Sequence, residues 1–236
     1  MIKKNNIKLE KLIKYYSLIN HNLVYANQAI NRYKKNNYAY GSKGVELKKL
    51  KTSIENIKNC ELKKNAANIV FCDGNPNSKI MIVGEAPGSN EDKEGYPFIG
   101  RAGKLLDKML LSIKLSRENV YITNVVNYRP PENRRPSNDE IKKYLPYLIK
   151  HIEIVNPKIL LLLGSTALNT IIGDKEVISK ARGKWIEKKI GICKTSVIVS
   201  FHPAFLMRQP EQKKMAWIDL KMIRKKISEL KIKIDK

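Results

Sequence analysis

Ile80-Met81-Ile82-Val83-Gly84-Glu85-Ala86-Pro87-Gly88 runs from four consecutive apolar residues straight into a turn bounded by Gly and Pro. A short apolar run closed in this way reads as a buried strand, with Glu85 at its lip. The layout returns in Val197-Ile198-Val199 followed by Ser200-Phe201-His202-Pro203-Ala204. It returns again in Tyr121-Ile122-Thr123, which leads to Asn124 and then to Arg129-Pro130-Pro131 and Asn133-Arg134-Arg135-Pro136. Ligand sites of open α/β sheets gather beyond the carboxyl ends of their strands. Glu85, Asn124 and His202 are therefore expected to face one crevice.

Helical patterns separate these strands. One spans about 101–114; a second opens at Ser137, where Glu140 three residues on completes a capping box, and runs to about Val155. Lys158 to Leu163 supplies a fourth strand, Gly164-Ser165 opens a short helix ending near Gly173, and a basic helix over about 211–231 closes the chain. Strands alternating with helices predict a mostly parallel sheet covered on both faces. The expected fold class is α/β, a three-layer sandwich around a central, mostly parallel four-stranded sheet. Residues 1–55 read as a basic N-terminal helical extension, with Leu9, Leu12, Ile13, Tyr16 and Leu18 near helical spacing, and residues 56–236 as the α/β domain. The helices of the extension are open between binding DNA, binding a replication or repair partner and covering one face of the sheet, the last favoured because their apolar stripe needs a surface to bury against.

The 236 residues are enough for one compact α/β domain with a substantial core. The 46 Lys and Arg against 22 Asp and Glu give a formal charge of +24, which favours a polyanionic partner, nucleic acid ahead of an anionic membrane surface. Most of that excess is Lys in a chain also rich in Asn and Ile, a composition that an AT-biased genome produces without selection for binding. No stretch approaches the roughly 20 apolar residues that cross a bilayer, and Met1-Ile2-Lys3-Lys4 does not resemble a secretory signal; a soluble, cytoplasmic protein is expected. Cys60, Cys72 and Cys193 are widely spaced and odd in number, unlike a disulfide framework or a closed metal site.

Taken singly, the Gly84 and His202 turns are weak signals, since ordinary tight turns look the same. They occur together with Pro97-Phe98-Ile99-Gly100-Arg101-Ala102-Gly103, Asn124-Val125-Val126, Gly164-Ser165-Thr166-Ala167, Arg182-Gly183-Lys184-Trp185 and Leu206-Met207-Arg208. With this set, the chain from about Ile57 to Leu230 resembles the uracil-DNA glycosylase superfamily, specifically its family 4. The resemblance implies a monomeric base-excision repair enzyme. It would flip uracil out of single- and double-stranded DNA, hydrolyse the N-glycosidic bond and leave an abasic site. It implies His202 as the hydrogen-bond donor to the departing uracil O2, where oriented donors stabilise the developing charge. Asn124 would accept from uracil N3–H and donate to O4, where cytosine presents the opposite pattern. Phe98 looks like the ring that stacks on the flipped base, and Gly84, Ala86 and Glu91 complete the expected uracil pocket. Glu85 is open between orienting water and stabilising the cationic sugar, because the superfamily's best-known branch has an aspartate where this chain has Ala86. Phe205 and Leu206 resemble a wedge that enters the duplex, with Arg208, Arg134 and Arg135 at the phosphates and Lys104 and the last helix extending the track.

Family 4 carries an iron–sulfur cluster on four cysteines, and the matching positions here read Ile57, Cys60, Tyr128 and Tyr144. One thiolate cannot hold a cluster that needs four ligands, so no cluster, metal or other cofactor is expected. Tyr128, Tyr144 and Ile57 are expected to fill its volume. A related branch traps DNA covalently through a His-bearing insert near Arg182, which Ala181-Arg182-Gly183-Lys184-Trp185 lacks. Two rival readings share these residues. A non-catalytic DNA-binding protein on the same scaffold is favoured by the lost cysteines and opposed by the retained Glu85, Phe98, Asn124 and His202. A glycosylase acting on hypoxanthine or other deaminated bases is opposed by Asn124.

Overall fold

The computed structural model describes residues 42–173 and 176–234. The helices expected within residues 1–41 lie outside the described residues. One sheet is built from β1 (Asp73–Gly74), β2 (Ile80–Gly84), β3 (Tyr121–Asn124), β4 (Ile159–Leu163), β5 (Trp185–Ile190) and β6 (Cys193–Ser200). Its order is β1-β3-β2-β4-β6-β5. The central β3, β2, β4 and β6 are parallel and correspond to the four strands read from the sequence. The sheet is nevertheless six-stranded and mixed, because β1 and β5 add antiparallel edges. Local pattern hides both: β1 is two residues long, and β5 is charged along much of its length. The second edge is held by a hairpin in which Gly191 (φ 55°) and Ile192 join the paired residues Ile190 and Cys193.

The connections are filled by α1 (Ser42–Glu55), α2 (Glu61–Asn65), α3 (Ser89–Glu94), α4 (Arg101–Ser112), α5 (Asn138–Val155), α6 (Ser165–Ile171), α7 (Ile178–Ala181), α8 (Pro203–Arg208) and α9 (Lys213–Glu229). Side chains alternate across each strand, which sorts the core into two layers. Met81, Val83, Leu160, Leu162, Val197 and Val199 pack with Leu47, Leu50 and Ile54 of α1 and with Leu148 and Ile152 of α5. Ile80, Ile82, Leu161, Leu163 and Ile198 pack on the opposite side with Leu106 and Leu110 of α4 and Leu220, Ile223 and Ile227 of α9. The result is the three-layer sandwich. Burial of β2 and β4 along their whole length follows from helices on both faces. The start of α5 matches its sequence signature: Glu140 N–H donates to Ser137 Oγ at 3.2 Å, and Ser137 N–H donates to the Glu140 carboxylate at 2.7 Å. No helix among the described residues is long and apolar enough to cross a membrane.

Candidate active site

The parallel register of β2 and β3 sets the pocket by pairing Gly84 with Asn124 at their carboxyl ends. Pairing continues beyond the strands, with Val125 N–H donating to Gly84 O at 3.0 Å and Val126 N–H to Glu85 O at 3.3 Å. Asn124 is thereby held beside the first turn. It is 3% exposed, and its Oδ1 is buried with no hydrogen-bond partner among the described residues. An orphaned buried acceptor costs about 1–3 kcal/mol unless a ligand donor meets it. Gly84 allows the parts to converge, since a Cβ there would lie 2.4 Å from Asn124 Oδ1 and 2.5 Å from Phe98 Cζ. The Phe98 ring in turn lies 5.5 Å from that of His202, centroid to centroid.

β6 delivers His202 to this place, where it caps α8. Its Nδ1 accepts from Ala204 N–H at 3.2 Å, which assigns the ring proton to Nε2. Burial, aided by the positive charge of Arg208, pushes the imidazole down to about 4. At neutral pH His202 is therefore an uncharged Nε2–H donor. Behind it β6 is clamped to α9: the buried Asp219 carboxylate accepts from Ser200 Oγ at 2.6 Å and from the Arg182 guanidinium. Burial raises the Asp219 carboxyl above its ordinary value even against these partners.

Glu85 is half-buried, and its Oε2 accepts from Thr166 Oγ1 at 2.5 Å. Thr166 stands in the first turn of α6, just beyond β4, so all four parallel strands or their following turns contribute to one region. In the sequence Thr166 has no assigned role, and its place directly after a strand is the available signal. Asp219 carried no local signal at all.

Other expected site residues take different places. The Glu91 carboxylate accepts from Gly88 N–H at 3.2 Å and from Gly100 N–H at 2.8 Å, so it staples the first turn to the loop that carries Phe98. Ala86 is half-buried against the core layer that holds α1. Leu206, expected at the tip of a DNA wedge, is instead 1% exposed and packed in the layer of α4 and α9. The reason is helical geometry, which puts Pro203 and Leu206 on the same inward face of α8. Phe205 is half-buried and stacks on Phe201 with centroids 4.9 Å apart, while Arg208 is exposed. Arg135 and Lys104 are exposed. Arg134 is exposed too, but its guanidinium already holds Glu140 by hydrogen bonds of 2.8 and 2.7 Å.

At the positions where the resemblance implies cluster ligands, Cys60 Sγ and Tyr144 Oη lie 3.2 Å apart. Tyr128 and Tyr144 are buried, and Ile57 packs against the same core. Burial raises both phenols, that of Tyr128 to about 12. One thiol, two uncharged phenols and an isoleucine do not fit the thiolate set of a cluster. Among the described residues, no group of three or more His, Cys, Asp or Glu is placed to hold a metal ion.

The fold and site thus define an open α/β protein with a polar and aromatic pocket at the carboxyl edge of its parallel strands. A family model described as "Uracil DNA glycosylase superfamily" matches residues 71–221, a span that contains that whole pocket, and the chain belongs to this superfamily. It is 43% identical over 183 residues, 75% of this chain and 83% of the relative, to a "Type-4 uracil-DNA glycosylase" of Sulfurisphaera tokodaii. It is 45% identical over 150 residues to the protein of that name from Thermotoga maritima, covering 63% of this chain and 77% of the relative. For the one from Archaeoglobus fulgidus the identity is 41% over 174 residues, 72% of this chain and 87% of the relative. These matches place the chain on the type-4 branch.

Proposed function

We propose that the protein is a uracil-DNA glycosylase of DNA repair that takes uracil out of the DNA stack, hydrolyses its N-glycosidic bond and leaves an abasic site. The observation that carries this reading is the buried Asn124 Oδ1, unpartnered among the described residues, which meets Gly84 at the same place as Phe98, whose ring neighbours the neutral His202. Uracil N3–H meets that acceptor, and the Asn124 amide donates to O4. Cytosine has no proton on N3 and an amino group in place of O4, so it leaves these groups unpaired. The Phe98 ring covers the base. As the bond from C1′ to the base breaks, its electron pair goes to uracil and the sugar gains oxocarbenium character. His202 donates from Nε2 to O2 of the departing anion. Water adds at C1′ and its proton passes to solvent, from which the uracil anion is protonated, with Glu85, held by Thr166, orienting the water or stabilising the cationic sugar. The names of the type-4 relatives support uracil as the base.

The finer assignments follow the same reading. The enzyme acts as a cytoplasmic monomer on single- and double-stranded DNA. Residues 56–236 carry the chemistry, and Arg208, Arg135, Arg134 and Lys104 meet phosphates. Phe205 lines the path to the duplex. No cluster is needed; in support, Cys60 meets Tyr144, and Tyr128 and Ile57 belong to the same core. The test is an end-labelled oligonucleotide with one uracil, beside matched hypoxanthine and cytosine strands, with abasic sites revealed by alkali. Cleavage at uracil alone is the expected result. Gel retardation without cleavage makes the chain a DNA-binding protein instead, and equal cleavage at hypoxanthine makes it a broader glycosylase. Stoichiometric iron with visible absorption in the purified protein overturns the cofactor assignment.

A further inference from the structure

Phe98 holds a left-handed backbone, φ 56°. That conformation costs a non-glycine residue about 1–2 kcal/mol and persists only where the surroundings enforce it. Here they do so from two sides. Arg117, in the turn before β3, donates from Nη2 to Phe98 O and from Nη1 to Pro97 O at 3.0 Å. From the other side α4 closes on the same carbonyl so tightly that a Cβ at Gly103 would lie 1.6 Å from Phe98 O.

The guanidinium is itself immobilised. Nη1 also donates to Asp73 Oδ2 at 2.6 Å on edge strand β1, and Nε donates to Asp107 Oδ1 at 2.7 Å in α4. One planar fork thus joins a sheet edge, a helix and the two carbonyls that carry the Phe98 ring. Lysine cannot replace it, because an ammonium offers a point charge where the fork offers donors in fixed directions.

We infer that Arg117 is a positioning residue for the base pocket: it acts through the Pro97 and Phe98 carbonyls to hold the plane of the ring that covers the flipped uracil. The inference rests on the uracil reading and deepens it. Stacking depends on ring geometry, so a ring free to rotate with its loop keeps its burial but loses part of its contact with the base. Asp73 and Asp107 act one step further back by holding the fork.

A double-mutant cycle on the full chain tests this, using Arg117→Lys, Phe98→Ala and the double variant. Free uracil binding by calorimetry, KM and kcat on the uracil oligonucleotide, and thermal melting are measured for each. Arg117→Lys is expected to weaken uracil binding and raise KM by roughly tenfold, within the range of one stacked base, with a smaller change in kcat. In the Phe98→Ala background the same substitution should change uracil affinity less than about twofold while lowering the melting temperature as much as before. An arginine that only supports the fold gives the same change in uracil affinity in both backgrounds, or none in either, and each of those results overturns the inference. If Arg117→Lys does not fold, Asp107→Ala, which removes the acceptor of Arg117 Nε and frees the fork from α4, enters the same cycle with the same expectation. A wild-type protein that neither binds uracil nor cleaves the oligonucleotide sinks the glycosylase reading, and this inference with it. A wild type that does both, with additive variants, sinks the role of Arg117 alone.

Discussion

Lowering the pH from 7 to 5 should remove a large part of the folding free energy, because the protein folds around two neutral imidazoles. His151 in α5 is 1% exposed, with ring centroids 4.5 Å from Phe71 and 5.7 Å from Tyr121, and its Nε2 has no hydrogen-bond partner among the described residues. Burial pushes it down to about 3. His202 lies at about 4, for the reasons given above. In the unfolded chain both titrate near about 6.5. The folded values lie below the unfolded ones, so the unfolded state holds more protons between them. Stability is therefore full above about pH 6.5 and is lost as the pH falls toward the folded values. At pH 5 each histidine accounts for a loss of about 2 kcal/mol, and the pair for about 4 kcal/mol, out of the roughly 5–15 kcal/mol of an ordinary domain. The raised carboxyl of Asp219 works in the opposite sense, so a difference between two proteins isolates the effect. Urea unfolding followed by tryptophan fluorescence at both pH values, for wild type and His151→Leu, gives that difference. The variant should show a smaller loss between pH 7 and 5 by about 2 kcal/mol. An equal pH dependence in the two proteins refutes a buried neutral His151.

Three further outcomes are expected. His202→Ala should lower kcat on uracil DNA by about 10²–10³, the scale of one oriented donor to a developing anion, with DNA affinity little changed; single-turnover rates and gel retardation separate the two. Thr166→Val removes the hydroxyl that holds Glu85 Oε2 without changing side-chain volume much, and single-turnover cleavage should slow roughly tenfold while the melting temperature moves little. Tyr144→Phe deletes the partner of Cys60 Sγ and should cost about 1 kcal/mol in urea unfolding, with the iron content at background in both proteins.

The four parallel strands were legible because each contains a short apolar stretch that leads into a turn, and a sheet covered on both faces needs such stretches. From this it followed that Glu85, Asn124 and His202 would stand at strand ends. The structure then sorts Met81 and Val83 into one layer and Ile80 and Ile82 into the other. The direction of Leu206 was not legible, because a six-residue helix is too short for apolar spacing to separate a core face from an exposed wedge; packing against α4 and α9 turned it inward. The edges β1 and β5 were hidden for the same reason, since two residues and a charged strand acquire meaning only from a neighbour's free edge.

The sequence by itself determined which strands form and which side chains wait at their ends, because those properties depend on neighbours a few positions away. Only the tertiary structure decided that Thr166 grips Glu85, that Asp219 and Arg182 brace the strand before His202, and that Arg117 holds the backbone of Phe98. Those partners stand far apart along the chain, and a hydrogen bond between them exists only once sheet register and helix packing have brought donor and acceptor within about 3 Å.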